Sequence, residues 1–217
     1  MKWRIGCGFL ALAAAACTAP LRPAVQSSEQ SSVAALAAAI KVDADRSEHE
    51  SDSRVRGELA SQAGRDAQSC LAGEPEAVAC LYGSAVALGL EARAHPTHAG
   101  ELLSRMLETL TRAEGADPGY DEAGPARVRA LVLVRAPGWP LGPGDPDAGL
   151  VAARRAVTLR PQYPPNLLAL AEALAKSGDA AASREGYTRA RDAAFALPAT
   201  ADREDWLREA DRALRPK

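Results

Sequence analysis

The stretch "GDPDAGLVAARRAVTLRPQY" (residues 144–163) is answered 34 residues later by "GDAAASREGYTRARDAAFAL" (residues 178–197). At that offset Gly144 meets Gly178, Asp145 meets Asp179, Arg155 meets Arg189 and Ala156 meets Ala190. Apolar and small residues recur three and four apart, as on one face of a helix. Leu167, Leu170, Ala171 and Leu174 draw such a stripe on the segment between the two stretches. No run alternates with period two over strand length, so the chain reads as helical, without a sheet.

Thirty-four residues is the period of the tetratricopeptide repeat, a pair of helices with Gly ahead of the second, small residues within it and Pro after it. Gly178, Tyr187 and Ala190 fall on the expected positions, Ser183 takes one usually held by Ala, and Pro161 closes the unit before. The expectation is an all-α, tetratricopeptide-like solenoid of helical hairpins with loop insertions, over residues 54–217.

Upstream, "AEGADPGY" (113–120) mirrors "AVTLRPQY" (156–163), pairing Ala113 with Ala156, Pro118 with Pro161 and Tyr120 with Tyr163. The offset there is 43, so nine extra residues, "APGWPLGPG" (136–144), sit between the two helices of one repeat. Proline fixes φ, removes a donor and pushes the preceding residue towards extended backbone, so this loop resists becoming helix. Asp145 and Pro146 restart a helix, as N-cap and first helical residue. Trp139 has two readings. One is a lid whose indole is buried on the end of the repeat; the other is a contact for a ligand or partner, since tryptophan is enriched at binding hot spots.

The chain starts "MKWRIGCGFLALAAAAC", with Lys2 and Arg4 ahead of an apolar run from Ile5 to Ala16. That run is too short to span a bilayer and has the proportions of a secretory signal peptide, residues 1–16. The "AAAC" that ends it resembles the lipobox of bacterial lipoproteins, which implies lipidation of Cys17. Ala14 stands where those proteins usually carry Leu, and ordinary cleavage would leave a soluble periplasmic protein instead. Thr18 after the cysteine, rather than Asp, implies an outer-membrane anchor facing the periplasm. Residues 17–53, beginning "CTAPLRPAVQSSEQSS", read as a lipid-anchored flexible tether, with a weak apolar helix at 33–42 and a solvated "DADRSEHESDS" after it.

Without the leader, 24 basic residues face 28 acidic ones. No basic stripe exists, which argues against nucleic acid as a partner. Trp3 and Phe9 leave with the leader, so seven aromatic residues remain and the core must be Leu, Val and Ala. Cys70 and Cys80 are the cysteines left for the folded domain, in an environment that export makes oxidising. They straddle "LAGEPEAVA", a bend between two helices at Gly73 and Pro75. A disulfide across that bend and two small buried thiols are both open. A metal site needs further ligands that the neighbourhood does not offer.

No reaction centre stands out. His95 and His98 lack a third ligand and flank Pro96, which fits a solvated loop better than a metal site. Neither a G-x-S-x-G elbow nor a phosphate-cradling G-x-x-x-x-G-K pattern occurs, and the carboxylates are scattered among arginines as on a solvated surface. The expectation is a non-enzymatic protein without cofactor or metal.

The series "ACLYGSAVALGLEARAH", "ADPGYDEAGPARVRALVLVRAPGWPLGPGDPDAGL" and "RPQYPPNLLALAEAL" resembles the TRAP-transporter T-component (TatT) family over about residues 54–197. Members are lipoproteins with degenerate tetratricopeptide repeats, found beside tripartite ATP-independent periplasmic transporters. The resemblance implies partnership with a periplasmic solute-binding subunit, or handling of a small organic or hydrophobic ligand. Contact with the membrane would be through the lipid anchor only, and a homo-oligomer is left open. The alternative is a general repeat scaffold for envelope protein complexes. Repeat register puts Ser84, Leu88, Arg129, Val132, Leu133, Leu168, Glu172 and Lys176 towards the groove. That mostly apolar set suits a small amphipathic ligand at least as well as a peptide, and it lacks the Asn and Lys clamp for a peptide carboxylate.

Overall fold

A computed structural model describes residues 33–215; the leader, Cys17 and the tether as far as residue 32 lie outside the described residues. Among the described residues there are nine α-helices and no strand: α1 (Val33–His49), α2 (Ser53–Gly73), α3 (Val78–Ala94), α4 (Ala99–Ala116), α5 (Tyr120–Arg135), α6 (Pro146–Leu159), α7 (Pro164–Lys176), α8 (Ala180–Phe195) and α9 (Ala201–Leu214). Successive helices pack as hairpins, α1 on α2, α3 on α4, α5 on α6 and α7 on α8, with α9 against α8. This is an all-α helical-hairpin solenoid with a loop insertion. No described helix is long and apolar enough to cross a membrane.

The 34-residue offset has a physical counterpart at the helix caps and at the small buried positions. Asp145 and Asp179 both cap a helix, accepting from the amides of Ala148 at 3.0 Å and Ala182 at 2.9 Å. Such a cap satisfies an amide that the helix cannot, worth about 1 kcal/mol. Gly149 and Ser183, and Ala156 and Ala190, are buried small residues on the second helix of each hairpin. They let helices approach closely without large side chains between them. The 43-residue pairing also holds. The amide of Asp117 closes on Ala113 as that of Arg160 closes on Ala156, each at 3.0 Å.

The core is divided into small clusters at the helix junctions. Leu88, Leu102, Met106 and Leu110 fill the α3–α4 interface, while Ala130, Val134, Ala152 and Ala153 join α5 to α6. Cys70 and Cys80 are bonded across the α2–α3 bend, with Cα atoms 5.3 Å apart. Both are buried.

Two expectations are corrected here. Residues 33–49 are not part of a flexible tether: α1 is a full helix packed on α2 and α3, with Ile40 buried among Ala63, Ala67 and Ala87. Its polar half misleads because Asp43 and Ser47 are themselves buried. Nor does Trp139 bury its indole, which is 91% exposed, with Leu141 beside it 76% exposed. The loop docks through backbone instead. The Gly144 amide donates to the Pro137 carbonyl at 2.9 Å, and the Asp145 amide to the Leu133 carbonyl at 2.9 Å. A Cβ on Gly100 of α4 would lie 2.9 Å from the Leu141 carbonyl. Backbone so close to α4 leaves the loop's large side chains pointing outward.

Candidate functional site

The first helices of the hairpins form one face of the array, and the array curves round on that side. His49 at the end of α1 reaches Asp205 of α9, Nε2 to Oδ2 at 3.8 Å. Between them lies a cavity of about 470 Å³ lined by α1, α5, α7 and α9. Leu131, Pro165, Leu168, Ala169 and Trp206 supply its apolar lining. Its carboxylates come from the two ends of the array: Asp45 and Glu48 from α1, and Asp202, Asp205 and Glu209 from α9.

Two arginines of α5, Arg127 and Arg135, complete the lining, and both are committed. Arg135 makes a bidentate pair with Glu172, at 2.8 and 2.6 Å. That pairing raises the Arg135 pKa further, against the opposing effect of burial. Arg127 is buried. It donates to the Asp121 carboxylate at 2.8 Å, to the carbonyls of Asp121 and Glu122 at 3.1 Å, and to Asn166 Oδ1 at 3.1 Å. The Tyr163 ring lies 5.3 Å from its guanidinium, and Tyr163 in turn meets Trp206 edge-on at 5.7 Å. Glu209 has its carboxyl pushed above the usual range, chiefly by burial, with Glu172 and Glu48 adding to the effect and Arg135 and Arg212 opposing it.

Behind this wall sits an unusual turn. Asp121, Glu122 and Ala123 all adopt left-handed backbone, with φ of 47°, 54° and 64°. A non-glycine residue there costs about 1–2 kcal/mol, so three in a row persist only where the surroundings over-determine them. Here they do. Tyr82 donates its hydroxyl to Asp121 at 2.8 Å, and burial raises the Tyr82 pKa, which keeps it a donor. Asn166, fully buried, donates to the carbonyls of Glu122, Ala156 and Arg160 at 3.0, 3.2 and 3.3 Å. Gly124 follows the turn because a Cβ there would meet Tyr82 Oη at 2.7 Å. Asn166 therefore ties the start of α5, the end of α6 and the start of α7 into one joint.

The groove expected from repeat register is only partly assembled. Leu168 lines the cavity, and Glu172 adjoins it through Arg135. Leu88 is instead a core residue, and Val132 packs against the same core cluster. Arg129 and Leu133 face a separate shallow hollow with Leu107, Ala148 and Val151, where Arg129 pairs with Glu114 at 3.2 Å. Ser84 is half-buried on α3 and Lys176 is exposed at the end of α7; neither lines the cavity. On α5, Arg127, Leu131 and Arg135 take the cavity side in place of Arg129, Val132 and Leu133.

Sequence reasoning missed Arg127, Asn166 and the whole contribution of α1 and α9. One signal was present: Asn166 is the lone amide in the otherwise apolar "PPNLLALA". Among the described residues, no three His, Cys, Asp or Glu side chains come together to hold a metal ion. His95 and His98 are exposed beside a short 3₁₀ turn.

The fold and site together define a helical-hairpin solenoid with a charged cavity on its inner face. Neither the protein-family models nor the curated proteins contain a match to this chain.

Proposed function

We propose that the protein is a non-enzymatic binding lipoprotein of the TRAP-transporter T-component type. It is anchored at Cys17, faces the periplasm, and takes a small amphipathic ligand in the cavity of its inner face while engaging a solute-binding subunit. The observation that supports this reading best is the cavity itself. At about 470 Å³ it falls within the range of small-molecule sites, which combine an apolar lining with a few placed polar groups. The family resemblance is carried by the "DPGYDEAGP", "APGWPLGPGDP" and "YPPN" series.

A second reading, a general scaffold for envelope complexes, draws on Trp139. An indole held 91% exposed on a backbone-anchored, proline-rich loop has the character of a protein-contact anchor.

Cross-linking in the native cell, followed by purification of the full chain, tests the two together. Recovery of a transporter's solute-binding subunit, with an acylated Cys17 in the membrane fraction, supports the first reading. Recovery of envelope assembly proteins without such a subunit supports the scaffold. An unmodified chain in the cytoplasmic fraction refutes both.

A further inference from the structure

We propose that the inner-face cavity binds a small linear organic polycation, a di- or triamine with methylene spacers, rather than an anionic solute. The inference deepens the ligand-binding reading above and rests on it.

The cavity has a volume for one such molecule and a lining of two kinds. Trp206, Leu131 and Leu168 offer apolar surface to a methylene chain, and an indole face also attracts an ammonium group. The charged part of the lining is unbalanced. Five carboxylates face two arginines and a histidine, and the arginines are already matched. Arg127 is held by Asp121, which does not line the cavity, and Arg135 is bidentate on Glu172. Each guanidinium thus already has a carboxylate partner within the protein.

The carboxylates differ in how well they are answered. Asp45 lies 3.6 Å from Lys41 on its own helix, and Asp205 pairs with Arg208 and meets His49. Among the described residues, no basic side chain forms an ion pair with Glu48, Asp202 or Glu209. Glu209 feels Arg135 and Arg212, yet burial and the neighbouring Glu172 and Glu48 leave its ionised form disfavoured. A bound cation relieves that like-charge crowding; a bound carboxylate adds to it.

The spacing of the charges selects the kind of cation. Among the described residues, no three acidic or imidazole groups converge tightly enough for a metal ion. The acidic groups instead come from two helices, α1 and α9, that meet beside the apolar lining through His49 and Asp205. Carboxylates spread over two elements next to apolar surface fit ammonium groups carried on a methylene chain. A ligand of this type would contact the first and last helices of the array together.

Titration calorimetry of the full chain with spermidine at low and high salt tests this, with decanoate and succinate as anionic probes. Spermidine is expected to bind, more weakly at high salt. The double variant Asp202→Asn/Glu209→Gln should weaken it at least tenfold while far-UV circular dichroism and melting stay at or above wild type. Binding of decanoate or succinate without spermidine overturns the cation assignment but leaves a ligand cavity standing. No binding by any probe overturns both. Spermidine binding that the double variant leaves unchanged also overturns the proposal, because it places the cation elsewhere on an acidic surface.

Discussion

Replacing Asn166 by alanine removes the joint between α5, α6 and α7. The side chain touches four partners, but its amide has only two hydrogens for the three carbonyls of Glu122, Ala156 and Arg160. With the bond from Arg127, the loss is about three effective hydrogen bonds. None of the partners is orphaned. Glu122 O keeps Arg127, Ala156 O keeps the Arg160 amide, and Arg160 O keeps the Tyr163 amide. The penalty for unsatisfied groups therefore does not apply, and about 1 kcal/mol per net bond gives a cost of about 3 kcal/mol. For a domain of this size that lowers the melting temperature by about 6–12 °C. Thermal and urea unfolding followed by circular dichroism at 222 nm measures it. Glu122→Ala is the control, since it keeps the backbone acceptor and loses only the half-exposed pair with Arg160 at 3.0 Å; its cost should stay below about 1 kcal/mol. If Asn166→Ala costs no more than Glu122→Ala, the left-handed turn is not held by this joint and the reasoning fails.

Glu209→Gln should raise the melting temperature at neutral pH. The folded protein holds the Glu209 carboxyl above its usual pKa, so this group's contribution is fully present below the ordinary carboxyl range and is lost as pH rises through the folded value. The gain should shrink as the buffer is taken to acid, and a gain that grows in acid would contradict the shift. Replacing both Cys70 and Cys80 by serine opens a loop of ten-residue separation and should cost about 2–3 kcal/mol on the chain-entropy model; non-reducing peptide mapping of the native protein should recover the linked pair. Trp139→Ala should leave stability within about 0.5 kcal/mol, as for other surface substitutions, because the indole is 91% exposed. A drop of several degrees in melting temperature would return Trp139 to the role of a buried lid.

Much of the hairpin array was legible in the sequence because its determinants are local. The caps at Asp145 and Asp179 and the restart at Pro146 each act within a few residues of themselves. The 34-residue echo therefore survives as a readable pattern. The break at "APGWPLGPG" is legible for the same reason, since proline and glycine constrain their own backbone. Which way its tryptophan points is not, because that depends on α4 lying close enough for Gly100 to meet the Leu141 carbonyl.

The site belongs to the tertiary structure. Asp45 and Asp205 are 160 residues apart, and only the curvature accumulated over the intervening hairpins brings α1 and α9 to one cavity. The turn at the start of α5 was equally hidden. "DEA" carries no glycine to announce left-handed backbone, and those three residues hold it only because Tyr82, Arg127 and Asn166 converge on the turn. Sequence periodicity reports what a segment prefers on its own. A strained turn held by distant side chains, and a charge pattern summed over the first and last helices, exist only once the chain has closed on itself.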